Sequence, residues 1–349
     1  MSHDVHYPLG DAPEIGDVRQ AAPGIFWLRM PLPFKLNHIN LWLLEDGDGW
    51  TVVDTGIDCW EARSAWEKVA ADRFDGKPLK RMIVTHYHPD HVGLAGWLSE
   101  QFGAELWMPF SEWAMARVLG QGSDASTREA FRRFYHAAGF GAELMLLVPD
   151  RSGNYAKSIT PVPPQLRRIG DGETLSIGGR GWRVITGAGH SYEHASLYCA
   201  DLRILIAGDQ VLPQITPNIS VWPAEPDADP LRAYLDSLDK FRDLPEDTLV
   251  LPGHRRPFTG LPGRLDALAH HHDDRLSETL ELCGEPRTGL EVLRRLFDRP
   301  LDDHQVFFAI GESLAHLHFL MGQGRLARRR RDDGIFVFER KEACQGAAG

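Results

Sequence analysis

Thr85-His86-Tyr87-His88-Pro89-Asp90-His91-Val92-Gly93 packs three imidazoles and a carboxylate into the six positions from His86 to His91. A loop that only connects two elements has little use for so many potential ligands. His86 and His88 alternate in an irregular or extended segment, where a local bend can turn side chains two apart onto one centre. Asp90 and His91 follow at once and can face a second centre nearby. Imidazole and carboxylate suit zinc, iron or manganese, and no cysteine stands beside them, so the pattern implies a catalytic rather than a structural metal.

The flanking sequence places this motif. Leu79 to Thr85 reads as a buried strand that ends where the motif begins, and Val92 to Gln101 regains helical periodicity, which puts the ligands in a strand-to-helix loop. Upstream, Ile39 to Trp42 and Trp50 to Gly56 are apolar and β-branched and are separated by Glu45-Asp46-Gly47-Asp48-Gly49, the signature of a hairpin. A helix is expected over Cys59 to Asp72. Downstream, Trp182 to Thr186, Ser196 to Ala200, Arg203 to Ala207 and Thr248 to Leu251 read as strands. Three of these run into potential ligands: Thr186 leads to His190, Ala207 to Asp209 and Leu251 to His254. Loops leaving strand ends are where a rigid scaffold displays chemistry.

Ala315-His316-Leu317-His318 serves as an internal control. Its surroundings are helical, and residues two apart on a helix point about 200° apart, so this pair cannot chelate one ion. The run His270-His271-His272 fails likewise. All five histidines are expected in surface or interdomain packing.

In these residues the chain resembles the metallo-β-lactamase superfamily. The likeness is carried by H-x-H-x-D-H at His86, His88, Asp90 and His91, the strand end Val52-Val53-Asp54-Thr55-Gly56, Gly189-His190, Gly208-Asp209 and Pro252-Gly253-His254, in that order across residues 25 to 260. It implies an α/β fold, an αββα sandwich of two mixed sheets with metals at one edge. It implies further that His86, His88 and His190 hold one divalent ion and Asp90, His91 and His254 a second, with Asp209 bridging. The presence of all seven ligands argues for two ions, zinc being the expected metal and iron or manganese the alternatives. In the flavin-linked diiron relatives the second histidine of the signature is a glutamate; here it is His88, which favours hydrolysis over redox chemistry. Residues 264 to 340 resemble a winged-helix-like appendage found on a subset of the family that includes lactamase-like ribonucleases, through Gly311 to Leu317 and Gly324.

The expected organisation is a catalytic domain over residues 1–262, a small winged-helix-like α+β domain over 263–341 with helices at Arg264 to Cys283, Thr288 to Phe297 and His304 to Gly322 and a closing hairpin, and a tail over 342–349. A helical insertion at about 110–165, containing Pro149 to Tyr155 and the proline-rich Pro161 to Pro164, is either a substrate lid or a structural elaboration. With 349 residues, 43% hydrophobic and 25% charged, the chain can bury a core. No apolar run approaches the roughly 20 residues that span a bilayer. The opening MSHDVHYPLGDAPEIGD lacks a secretory leader's basic start and apolar centre, and the cysteines, Cys59, Cys199, Cys283 and Cys344, are isolated. A cytoplasmic protein with reduced thiols, and no membrane partner, is expected. Net charge of −11 opposes nucleic-acid binding, apart from Arg325 and the run Arg328 to Arg331, which reads as a solvated or salt-bridged edge.

Two cations sharing one water would lower its pKa from about 15.7 toward neutrality and polarise a carbonyl or phosphoryl oxygen, so no protein nucleophile is needed. Asp90 is the expected catalytic residue, orienting that water and passing a proton to the leaving group. Asp54 is read either as fixing the ligand loop or as making a plain strand-end hydrogen bond, His194 as structural or as supporting the ligands, and Tyr155 and Tyr192 as candidate donors to substrate. The Gln214 to Pro226 loop, with Trp222, is expected to wall the pocket. The expected activity is hydrolysis of a small ester, thioester or lactone by a chain that could act as a homodimer. Phosphodiester cleavage of RNA is the alternative enzyme, and a nucleic-acid-binding regulator with a vestigial metal site the non-enzymatic one.

Overall fold

The computed structural model describes residues 5–34, 36–148, 153–303 and 305–341. Pro149 to Ser152, His304 and the expected tail with Cys344 lie outside them. The chain divides into two compact units, one of residues 1–122, 153–217 and 237–267, the other of residues 123–152, 218–236 and 268–349.

The first unit contains two sheets. One has seven strands in sequence order, β1 (Val18–Ala22), β2 (Ile25–Pro31), β3 (His38–Asp46), β4 (Gly49–Val53), β5 (Leu79–Ile83), β6 (Glu105–Met108) and β7 (Arg167–Arg168). Its first four strands pair antiparallel and the rest parallel. The expected hairpin is β3–β4, with Trp42 opposite Val53 and Asp46 opposite Gly49. The other sheet contains β8 (Thr174–Ile177), β9 (Arg180–Gly187), β10 (His194–Cys199), β11 (Ile204–Gly208) and β12 (Leu249–Pro252), ordered β12-β11-β10-β9-β8, with only β11–β12 parallel.

Strand β3 shows why the sequence folds into layers. It is apolar almost throughout because it is covered on both faces, as central strands of such sheets are. Ile39, Leu41 and Leu43 join Val52, Met82 and Val84 in a core with Ala62, Trp66 and Val69 of helix Trp60–Val69 and with Leu98 of helix Ala95–Phe102. Trp42 and Leu44 point the other way, into a core shared with Leu175, Trp182, Val184, Leu197, Ile204, Ile206 and Leu251 of the second sheet. Trp27 and Trp42 stack there at 5.9 Å between centroids. On the second sheet, Lys240 of the turn Asp239–Phe241 bonds the Thr186 carbonyl on β9 at 3.0 Å. Two mixed sheets with helices against them make the αββα sandwich that the sequence suggests.

The second unit contains residues 268–282 of helix Leu261–Leu282, helices Gly289–Leu296 and Gln305–Gly322, and a sheet of β13 (Arg287–Thr288), β14 (Leu326–Arg330) and β15 (Phe336–Arg340), ordered β13-β15-β14. Thr288 and Glu291 close a reciprocal capping box that starts helix Gly289–Leu296. Of the 110–165 insertion, helix Phe110–Leu119 belongs to the first unit. Helix Ala125–Ala137 belongs to the second, where the Tyr135 ring meets Phe307 edge-on at 4.9 Å. Trp222 packs on Phe308 in the same unit, at 5.9 Å. His272 and His316 are buried with ring centroids 5.4 Å apart, and the buried His318 donates to the Ala228 carbonyl. Arg328 pairs with Asp227, and Arg331 with Asp333, so part of the basic run is a salt-bridged edge.

Candidate metal centre

The loop after β5 presents its ligands through two backbone conformations. His88 caps the one-turn helix Pro89–Val92 in an extended conformation (φ −60°, ψ 146°), and Pro89 occupies the first helical position, where its missing N–H is no loss. His86 and His88 therefore project from extended chain, Asp90 and His91 from a helical turn. The second sheet contributes the remainder from its strand ends: His190 follows β9, Asp209 follows β11 and His254 follows β12.

All seven expected residues come together. Potential ligand atoms converge to within 4.8 Å in three groups, His86–His88–His190, His86–His91–Asp209 and Asp90–His91–His254. In the first, His86 Nε2 lies 2.9 Å from His88 Nδ1 and 3.2 Å from His190 Nε2. Asp209 Oδ2 is central, at 3.3 Å from His254 Nε2, 3.5 Å from His91 Nε2 and 3.6 Å from His190 Nε2. Asp90 Oδ2 is 3.2 Å from His254 Nε2. Its side chain is 20% exposed, whereas those of His91, His254 and Asp209 are 0%, 3% and 9% exposed, so Asp90 is the carboxylate of the centre most open to solvent.

Hydrogen bonds behind the cluster set the ring tautomers. His91 Nδ1 donates to Asp54 Oδ2 at 2.8 Å. Asp54 Oδ1 accepts from the Thr85 backbone N–H at 2.8 Å, and the Thr85 hydroxyl donates to the same carboxylate. His86 Nδ1 in turn donates to that hydroxyl oxygen at 3.0 Å. His254 Nδ1 donates to the His38 carbonyl at 3.0 Å. In each case Nε2 is the nitrogen turned into the centre. Asp54 thus fixes the ligand loop as the sequence suggests, from a left-handed backbone (φ 64°) that turns its carboxylate beneath the loop. His194 Nε2 accepts from the Asp209 backbone N–H at 3.0 Å, a structural bond that places a ligand.

Charge divides the centre into two halves. Burial, then the neighbouring rings His91 and His88, lowers the pKa of His86 well below the usual histidine value. Burial, then His190, lowers that of His88 to about 3. Burial opposes charge on His91 and His254 too, but there the carboxylates prevail. Asp54, Asp209 and Asp90 raise His91 well above its ordinary value, and Asp209 and Asp90 raise His254 to about 10. Asp90 is lowered to about 2 by His91 and His254 in spite of its burial.

These residues fit divalent cations. Three imidazole nitrogens face one another in the first group, and a cation between them would take a lone pair from each. His91 Nε2 and Asp209 Oδ1 are buried with no hydrogen-bond partner, which a cation would supply. A mixed nitrogen and oxygen donor set without thiolate is the chemistry of catalytic zinc, iron or manganese sites. Gly253 preserves the close approach, since a Cβ there would lie 2.4 Å from Asp209 Oδ1.

Tyr155, expected to face substrate, instead donates its hydroxyl hydrogen to the Tyr87 carbonyl. Two residues behind the centre are not among those the sequence motifs mark. Asn40 bonds the Pro252 and Arg255 carbonyls on either side of His254, at 3.0 and 2.8 Å, and a lone amide in the apolar strand Ile39 to Leu44 was its signal. Glu112, wholly buried, binds the Tyr87 and Glu193 backbone N–H groups. Nothing in its helical surroundings marks it. The five histidines at 270–272, 316 and 318 join no metal-binding group among the described residues.

Residues 35–254 match the metallo-beta-lactamase superfamily, and residues 276–341 match the metallo-beta-lactamase-like C-terminal domain. The chain belongs to the metallo-beta-lactamase superfamily. It is a metallo-hydrolase of that family, with histidine and aspartate clusters able to bind metal. It is similar to a beta-lactamase domain protein of known crystal structure from Burkholderia ambifaria, at 41% identity and a TM-score of 0.90, covering 97% of this chain and 99% of that one. It is also similar to the probable metallo-hydrolase YqjP of Bacillus subtilis (strain 168), 26% identical over 302 residues, 84% of this chain and 91% of that one. The acyl-coenzyme A thioesterase MBLAC2 of Gallus gallus is 27% identical over 212 residues, 59% of this chain and 65% of that one.

Proposed function

We propose that this enzyme holds two divalent ions, zinc foremost, and hydrolyses a small ester, thioester or lactone. The observation that carries the reading is the convergence of seven ligands, with Asp209 Oδ2 between imidazoles of both ion groups. His86, His88 and His190 would hold one ion, Asp90, His91 and His254 the other, and Asp209 would bridge them. Bound there, the ions would acidify a water and polarise the scissile carbonyl. Asp90, the open carboxylate, accepts a hydrogen bond from the attacking water and conveys its proton to the leaving group. Asp54 and the Thr85 hydroxyl keep His91 and His86 in the tautomers that present Nε2. A thioesterase among the relatives supports an acyl substrate.

Within the same proposal, the C-terminal region is winged-helix-like, a reading supported by its order of helix, short strand, two helices and hairpin. The partner is a small molecule rather than nucleic acid or membrane, since the acidic chain pairs Arg328 and Arg331 internally. Isolated cysteines support a cytoplasmic location. The test is a panel of esters, thioesters, lactones and short RNAs offered to the zinc-loaded wild type and to His88→Ala. Acyl hydrolysis that disappears in the variant is the expected result. Cleavage of RNA alone, or activity indifferent to His88, would overturn the proposal.

A further inference from the structure

The peptide of Tyr87, the residue between His86 and His88, is held at both ends by side chains. Its N–H donates to Glu112 Oε2 at 2.9 Å, and its carbonyl accepts from the Tyr155 hydroxyl. The other Glu112 oxygen, Oε1, accepts from the Glu193 N–H at 2.6 Å, three residues beyond His190. The Glu193 carboxylate returns to the same helix, accepting from the Ser111 N–H at 3.2 Å and from the Ser111 hydroxyl. One wholly buried carboxylate in the first turn of helix Phe110–Leu119 thus joins the loop bearing His86 and His88 to the loop bearing His190. These three histidines form one of the convergent groups, while His91 and His254 of another donate to Asp54 and to the His38 carbonyl.

A buried polar group is costly unless it is hydrogen-bonded, and a carboxylate, with acceptors only, suits two backbone donors arriving from separate loops. Glutamine cannot replace it without conflict, because its single oxygen serves one N–H and its NH2 group confronts the other. We propose that Glu112, assisted by Tyr155, is a positioning residue that sets the spacing of the His86–His88–His190 group and so governs the affinity of one ion selectively. The inference rests on the two-ion reading above.

Zinc titrated into metal-stripped protein against a chromogenic chelator gives stepwise dissociation constants. The proteins compared are wild type, Glu112→Gln, Tyr155→Phe and Asp46→Asn. The last is a control, because Asp46 is also buried and hydrogen-bonded, to Arg81, Thr51 and the Gly178 N–H, but serves no ligand loop. Glu112→Gln is expected to weaken one zinc by roughly 10- to 100-fold and the other by less than about threefold, with Tyr155→Phe affecting the same zinc more mildly. Asp46→Asn should alter neither. With cobalt(II) in place of zinc, the visible absorption of that same ion should change in Glu112→Gln. Unchanged affinities, equal losses at both ions, or the same losses in Asp46→Asn would overturn the inference. Should Glu112→Gln fail to fold, Tyr155→Phe decides by the same criteria. If the wild type takes up one zinc only, the two-ion reading fails, and the inference about Glu112 then stands or falls on whether that zinc is weakened in Glu112→Gln but not in Asp46→Asn.

Discussion

Replacing Asp54 by asparagine changes one oxygen into an amide and leaves shape and backbone almost untouched, since asparagine also tolerates the left-handed conformation at φ 64°. The two Asp54 oxygens accept from the Thr85 N–H, the Thr85 hydroxyl and His91 Nδ1. Asparagine supplies one oxygen. With that oxygen on the Thr85 N–H, its NH2 group faces His91 Nδ1, which must then accept, moving the imidazole proton to Nε2. That is the atom 3.5 Å from Asp209 and 3.8 Å from Asp90, and once protonated it cannot bind an ion. Forcing His91 back to the ligating tautomer leaves a buried donor unmatched, which costs about 1–3 kcal/mol. At about 1.4 kcal/mol per factor of ten, metal affinity should fall by roughly 5- to 150-fold. Zinc retained after dialysis against a graded series of chelator concentrations measures this directly, and turnover at saturating zinc should recover much of the loss. Retention within about twofold of wild type would refute the assignment of tautomers through Asp54.

Metal uptake by the stripped protein should release between about one and two protons near pH 8, from His91 and His254, measurable by calorimetry in buffers of different ionisation enthalpy. Because His254 is raised from 6.5 to about 10, its charged form stabilises the metal-free fold fully below pH 6.5, and that contribution disappears as pH rises through 10. Thermal melts of the stripped protein should therefore weaken over that interval. Gly253→Ala places a methyl 2.4 Å from Asp209 Oδ1 and 3.0 Å from His91 Cε1, so zinc content should drop while circular dichroism keeps the native pattern. His318→Ala removes a buried bond to the Ala228 carbonyl and should lower stability by about 1–2 kcal/mol in urea titration, with zinc stoichiometry unchanged.

The candidate centre was legible because its residues are chemically unusual where they stand. Histidines concentrated in one loop, and His190, Asp209 and His254 placed just past apolar β-branched runs, announce themselves by residue type. Strands β3, β4, β5 and β9 to β12 were legible for a related reason, since covered strands are apolar and bounded by turn residues. Other strands were not: β7 and β13 are two residues each, and their pairing depends on neighbours remote in the chain. Glu112 was hidden because a glutamate early in a helix is ordinarily solvated. Its burial follows from how helix Phe110–Leu119 meets two distant loops, which no local pattern records. Tyr155 misled for the converse reason, because a hydroxyl near ligands suggests chemistry where here it secures a peptide.

The candidate ligands are drawn from both sheets, since the 86–91 loop leaves β5 whereas His190, Asp209 and His254 leave β9, β11 and β12. An ion held there would act as a rivet through one end of the sandwich. Stripping it should accelerate amide hydrogen exchange first at the ends of β5, β9, β11 and β12, ahead of the tryptophan-lined interior, so that the catalytic edge is also the place where unfolding begins.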